Sequence, residues 1–352
     1  MKGKRPVIVL ALIATVVAGA FIYADNSEKM APKAPDFGKG QWLNSKPLTM
    51  KELRGKVVLV DFWEYTCINC LRTLPYLKTW NKRYKKYGLV IVGVHTPEFK
   101  SSSIPANVKA AVKRLGVTWP VLLDNNYQTW NAYQNRWWPR EILIDRKGRI
   151  RYNHIGEGHY DRTERMIQKL LAEGGKAPDI KVMAPVRKTD VPGAACYLTT
   201  PETYIGSNRG TLSNPRYLGE GTHFYAALGA DQIKDGKPAL QGRWSTFGEY
   251  CQSKSAFSKL LLRYHAAGCY VVADAGPTHT SATMQVLLDG KPVPPKLRGE
   301  DIQVEKGKTV VKLGRTRLYR LVGGNVFGRH VVELDAPEGA RFYSFTFGTC
   351  VH

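Results

Sequence analysis

An apolar run of strand-forming residues, KVVLVDF (residues 56–62), leads straight into WEYTCINC and then into LRTLPYLKTWNKRYKKY. No other feature constrains the chain as much. The run lacks the alternation of a half-exposed strand, so it predicts a strand buried on both faces, as at the centre of a parallel sheet. Leu71, Leu74, Leu77 and Trp80 recur every three residues, which predicts an amphipathic helix with a basic outer face. Cys67 and Cys70 therefore stand where a buried strand turns into a helix N-terminus. Unpaired backbone N–H groups and the helix dipole favour negative charge there. A thiolate is the species that performs thiol–disulfide exchange, and Cys67 is placed to provide one. Cys70, one turn later and deeper, is suited to resolve a mixed disulfide.

The pattern around this unit repeats its logic. LVIVGVH (residues 89–95) reads as a second buried strand, IPANVKAAVKRLG as a helix ended by Gly116, and YQTWNAYQ as a short helix. EILIDRKGRIRYN predicts a hairpin turning at Lys147 and Gly148, and DRTERMIQKLLAEGG a closing helix capped by Asp161 and stopped by Gly174. Residues 38–174 are thus expected to form an α/β domain. Across residues 175–196 periodicity vanishes and Gly, Pro and Lys accumulate, which marks a linker. Residues 197–352 hold short strand candidates separated by Gly, Asp and Pro turns, the pattern of an all-β sandwich or jelly roll.

The N-terminus adds a compartment. Lys2, Lys4 and Arg5 precede an apolar stretch over residues 7–24, so residues 1–24 read as a signal anchor or as a signal peptide cleaved near Ala20. Either directs the rest of the chain, beginning with a tether over residues 25–37, across the membrane. Disulfides persist there, and six cysteines are compatible with three of them. The net charge of +23 is spread along the chain without a recognition motif, so it implies attraction to anionic surfaces rather than nucleic-acid binding.

The stretch VVLVDFWEYTCINCLRTLP resembles the active-site strand and helix of the thioredoxin superfamily. The resemblance implies a proton-transferring acid at Asp61, a helix-kinking proline at Pro75, and an active-site tryptophan at Trp63 and a cis-proline at Pro139 preceded by Trp138, all three contacting substrate. Ile68 and Asn69 depart from the Gly-Pro of thioredoxin itself. More narrowly, residues 35–175 resemble the exported TlpA/ResA-like branch, and WEYTCINCLRTLP with VGVHTPEF and IGEGHYDRTE resembles the extracytoplasmic part of DipZ-like proteins. In that group a thioredoxin-like domain precedes a sandwich resembling a carbohydrate-binding module, and TPETYIGSNRG and FYSFTFG resemble the two ends of that sandwich. The resemblance implies an extracytoplasmic thiol-disulfide oxidoreductase with no cofactor beyond its redox-active disulfide. Cysteine-containing envelope proteins would be its substrates. DipZ-like proteins also carry a multi-span electron-delivering domain, whereas this chain has one candidate span. Its electrons would come from a separate membrane donor of the CcdA/DsbD type.

Other readings of the same residues stay open. A zinc site usually needs a second Cys or His pair, and His95 and His154 lack that spacing. A structural Cys67–Cys70 bridge would close too small a loop to stabilise much. Glu64 is either a second acid of the site or a solvated loop charge. His95, Thr96, Pro97 and Glu98 follow a strand at its C-terminal end, where α/β sheets place functional groups, or form a simple loop. Tyr65, Trp137 and Trp138 form either an apolar rim or part of the core. Trp244, Phe247 and Tyr250 are candidates for stacking on a glycan, or for sandwich core. Cys196 and Cys350 lie near the ends of the second domain, where a bridge would fasten terminal strands and leave Cys251 and Cys269 as the other pair. A thiol peroxidase, or a glycan-binding envelope protein with a structural disulfide, are the competing functions.

Overall fold

The computed structural model describes residues 31–175, 179–215, 219–324 and 326–351. The expected membrane segment, residues 7–24, lies outside the described residues. Among the described residues no helix is long and apolar enough to cross a membrane.

The first domain is a six-stranded sheet of β1 (Gln41–Leu43), β2 (Val57–Trp63), β3 (Leu89–His95), β4 (Val121–Leu123), β5 (Arg140–Ile144) and β6 (Ile150–Ile155), in the order β1-β4-β3-β2-β5-β6. β2 lies parallel to β3 and antiparallel to β5. Its continuous apolar run has a direct cause, because both faces are covered. Leu59 and Trp63 pack with Leu74, Leu77 and Trp80 of α1 (Ile68–Tyr84), whereas Val58, Val60 and Phe62 pack on the other side with Trp130 and Tyr133. Helices α2 (Pro105–Arg114), α3 (Gln128–Ala132) and α4 (Tyr160–Ala172) complete the layers. One boundary differs from expectation. The residue preceding α4 is His159, with φ of 47°, so Asp161 lies inside the first turn rather than capping it. Its charge still complements the helix dipole there.

The second half of the chain is β-rich, with two runs of paired strands around one apolar core, called the sandwich. Strands Gln303–Glu305, Lys308–Leu313, Ala282–Leu288, Gly328–Ala336 and Ser258–Ala266 pair in that order on one side. Cys251–Ser253, Arg341–Gly348, Gly268–Asp274 and Arg317–Val322 do so on the other. Strand Ala239–Thr246 belongs to both, pairing through Ala239 to Gln241 with one sheet and through Trp244 to Thr246 with the other. The corner between falls at Gly242, where a φ of 85° strains any other residue and a side chain would crowd the Phe257 carbonyl at 3.1 Å.

Cys196 and Cys350 form a disulfide that ties the end of the linker to the end of the sandwich across a separation of 154 residues. A loop of that length restricts the unfolded chain strongly, so Cys196→Ser is expected to cost roughly 2–5 kcal/mol of sandwich stability. Denaturant titration measures this; an unchanged midpoint would show that the bridge constrains nothing. The second expected bridge is not formed, since Cys251 and Cys269 are both buried thiols outside any disulfide. Cys251 lies opposite Phe342 and Cys269 opposite Phe347, on strands flanking Arg341–Gly348. Five residues along a strand separate them by about 16 Å, far beyond disulfide reach.

The sandwich docks on the N-terminal end of α1. Ile68, with Leu71 and Phe99 of the first domain, packs against Val272, Leu318 and Tyr343 of the second. Polar contacts fix the orientation. Arg72 Nη2 donates to the Phe347 carbonyl at 3.2 Å, Glu98 Oε1 accepts from Tyr204 Oη at 2.8 Å and Arg209 Nη1 at 3.0 Å, and the Lys100 N–H donates to Glu249 Oε2 at 2.8 Å.

Candidate active site

β2 ends at Trp63, and four residues carry the chain into α1. Cys67 is the last of them, in extended conformation, and its Sγ accepts from the Cys70 N–H at 3.5 Å. The sulfur is thereby held at the helix N-terminus. Its thiol lies 3.7 Å from the Trp138 carbonyl oxygen, and the peptide between Trp138 and Pro139 is cis. Cys67 is partly exposed and Cys70 is 1% exposed; both are free thiols. One sulfur is therefore reachable and the other is held in reserve.

The acids nearby differ in environment. Burial pushes the Cys70 thiol well above its ordinary range, and Cys67 and Asp61 push it further. Asp61, on β2, is 1% exposed, and its carboxyl is raised by burial and then by the charge of Glu141. Glu141 is its register partner on β5 and equally buried. Burial pushes this carboxyl up to about 7, against the opposing effect of the Thr163 hydroxyl, which donates to Oε2 at 3.2 Å. Neither Asp61 Oδ1 nor Glu141 Oε1 has a hydrogen-bond partner among the described residues.

A carboxyl raised by folding favours the folded state fully below its unfolded value and loses that contribution as pH climbs through the folded value. Glu141 alone is expected to lower stability by roughly 3 kcal/mol between about pH 4.5 and pH 7. Denaturation of wild type and Glu141→Gln at pH 5 and pH 8 measures this. The variant should lose that part of the slope, and identical slopes would contradict the assignment.

Glu64 is buried rather than a solvated loop charge. Its Oε2 accepts from the Thr66 N–H at 2.6 Å, the Thr66 hydroxyl and the Cys67 N–H at 3.0 Å, which pins the turn carrying the reachable sulfur. Its Oε1 faces His95 Nε2 at 3.8 Å. His95 is buried, stacked on Tyr65 and edge-on to Trp63, each at 5.4 Å between ring centres. Trp63, expected to contact substrate, is instead interior, because the side chains of β2 on this face pack under α1. Tyr65 is buried as well. The exposed rim is Trp137, 46% exposed, beside half-buried Trp138, whose Nε1 donates to the Thr96 carbonyl at 3.1 Å. No three His, Cys, Asp or Glu side chains converge in metal-binding geometry among the described residues.

Of the aromatic residues proposed to stack on a glycan, Trp244 is wholly buried and packs against Phe342 in the core. Phe247 and Tyr250, with rings 4.7 Å apart, line a cleft of about 520 Å³ between the domains. Glu141 was not singled out from the sequence. Its signal was an acid inside an otherwise apolar strand two residues after Pro139.

Residues 29–171 match the Redoxin family model, and residues 200–348 match a model described as a thioredoxin like C-terminal domain. The chain is 35% identical over 322 residues to Protein DipZ of Mycobacterium tuberculosis, a match covering 90% of this chain and 43% of DipZ. It thus spans less than half the length of that relative. It is 34% identical over 152 residues to thiol-disulfide oxidoreductase ResA of Geobacillus thermodenitrificans, covering 42% of this chain and 83% of ResA. With thiol-disulfide oxidoreductase YkuV of Bacillus subtilis it shares 26% identity over 137 residues, covering 39% of this chain and 91% of YkuV.

Proposed function

Because the chain belongs to the thioredoxin-like thiol-disulfide oxidoreductases, we propose that it reduces or isomerises disulfides of cysteine-containing envelope proteins outside the cytoplasm, through a Cys67/Cys70 dithiol–disulfide cycle. The observation that carries this reading is the division between the two sulfurs. Cys67 is reachable beside the Trp138 carbonyl, and Cys70 is buried near Asp61.

In the reductive half-cycle the Cys67 thiolate attacks one sulfur of a substrate disulfide. A mixed disulfide forms, and the first substrate thiolate leaves. Asp61 then takes the proton of Cys70, whose thiolate attacks Cys67 Sγ. The Cys67–Cys70 bond forms, the mixed disulfide breaks, and the second substrate thiolate leaves. Both substrate thiolates take protons from water, so two electrons and two protons reach the substrate. The Trp138 carbonyl and Pro139 line the approach, and the exposed Trp137 offers the substrate chain an apolar contact. Ile68 is covered by the sandwich, which confines substrate to that side.

The reductive direction is supported by the cost of charge on these sulfurs. A dithiol that stabilises its thiolates poorly holds its disulfide firmly and is a better reductant. Burial, then Cys67 and Asp61, disfavour the Cys70 thiolate. Re-reduction falls to a membrane electron donor of the CcdA/DsbD type, and residues 7–24 would hold the chain beside it. In a turbidity assay with insulin and dithiothreitol, the full chain should accelerate reduction and Cys67→Ser should not. Equal rates for the two proteins would count against the reading.

A further inference from the structure

Resolution of the mixed disulfide requires a proton to leave a buried place. Cys70 and Asp61 are each 1% exposed, so a proton accepted by Asp61 has almost no contact with water. β5 supplies a way out. Glu141 faces Asp61 across the β2–β5 register, and side chains of such pairs stand about 5 Å apart on one face of the sheet. Each carboxyl keeps one oxygen free of hydrogen bonds, Asp61 Oδ1 and Glu141 Oε1. The second oxygen of Glu141 accepts from the Thr163 hydroxyl of α4 at 3.2 Å, and Thr163 Oγ1 lies 3.3 Å from Tyr152 Oη of β6. Tyr152 is only half-buried.

Resting on the dithiol reading above, we propose that Glu141 is a relay residue, taking the proton of the resolving step from Asp61 and passing it through the hydroxyls of Thr163 and Tyr152 to water. The proton balance is closed. Cys70 loses one proton to the Asp61 carboxylate, Asp61 gives it to the Glu141 carboxylate, and each hydroxyl then accepts one proton as it releases another. No electrons move along this route. They stay in the sulfur–sulfur exchange.

Burying a second carboxyl otherwise only costs stability, so a site that needs Asp61 alone would be better served by an apolar residue here. Glu141 is also matched to the step, since its carboxyl changes charge at about 7, within the working range of a periplasm-like medium. The groups facing the chain of donors and acceptors are Cys70 on α1, Asp61 on β2, Tyr152 and His154 on β6, and Asp161 and Arg162 at the start of α4. Asp61, coupled to Glu141 by charge, and Thr163, hydrogen-bonded to it, stand directly on the route.

The test is stopped-flow oxidation of the reduced full chain by an aromatic disulfide that releases a coloured thiol at each step. The first release reports Cys67 and the second reports Cys70. In the wild type the second rate should rise with pH to a midpoint near 7. In Glu141→Gln that rise should vanish and the second rate at pH 8 should fall about tenfold or more, while the first rate is unchanged. Thr163→Val keeps both carboxyls and should slow the second release similarly, which decides the matter if Glu141→Gln does not fold. A merely structural Glu141 would change stability and leave the second-phase pH profile as in the wild type. That result in both variants overturns the relay. Absence of any second release from the wild type overturns the dithiol reading itself, and the relay with it.

Discussion

Replacing Cys70 with alanine is expected to leave the protein covalently joined to its substrates. Cys67 remains reachable beside the Trp138 carbonyl, so attack on a substrate disulfide proceeds. The residue that would release the mixed disulfide is gone. With a peptide disulfide in excess, turnover should fall on the order of 10³-fold or more, and the bound peptide should appear on non-reducing gels and in intact-protein mass spectra. Cys67→Ser should lose turnover to the same extent without trapping anything. A trapped product on Cys70 in that variant would reverse the assignment, although a sulfur so buried offers substrate no approach.

The second large effect concerns Asp61. It is the carboxyl near Cys70, and the thiol there is pushed well above its ordinary range by burial, with Cys67 and Asp61 adding to it. At neutral pH such a thiol is protonated and cannot attack unaided. Asp61→Asn keeps the shape and removes the proton acceptor, so the resolving step should slow by about 10²-fold or more, while the first attack by Cys67 is spared. Burying a neutral amide in place of a carboxyl whose ionisation costs energy should also stabilise the fold at pH 8 relative to pH 5. Rapid-mixing kinetics separates the two steps. An unchanged second step would mean that the proton leaves Cys70 by another way.

What could be read from the sequence was local. The strand into Cys67 and the helix after it arise from an apolar run meeting a threefold spacing, and both faces of β2 are covered as that run required. That the second half is β-rich was legible in its regularly spaced short strands. What could not be read depends on which strands become neighbours. Glu141 matters because β5 brings it opposite Asp61, and nothing within REILID announces that register. Cys251 and Cys269 remain thiols because five residues of one intervening strand separate them, a distance absent from their spacing in the chain. Trp244 read as a glycan platform or as core, and packing against Phe342 decided for core, while Trp63, read as a substrate contact, is packed beneath α1. Ile68 stood simply as a spacer between two cysteines. Its contact with Val272, Leu318 and Tyr343 makes it the point where the second domain touches the site.

Those contacts make the poise of the dithiol the property on which the proposed cycle depends. Each increment of about 30 mV corresponds to roughly 1.4 kcal/mol of relative stabilisation between dithiol and disulfide. A buried Cys70, its thiol pushed up by burial, by Cys67 and by Asp61, favours the disulfide. The direct measurement is the reduction potential of Cys67 and Cys70 in the full chain, by equilibration with thiol buffers and counting of alkylated cysteines. We expect a value near that of thioredoxin, about −270 mV, and a value near about −120 mV, that of a strong oxidant, would contradict the reductive cycle.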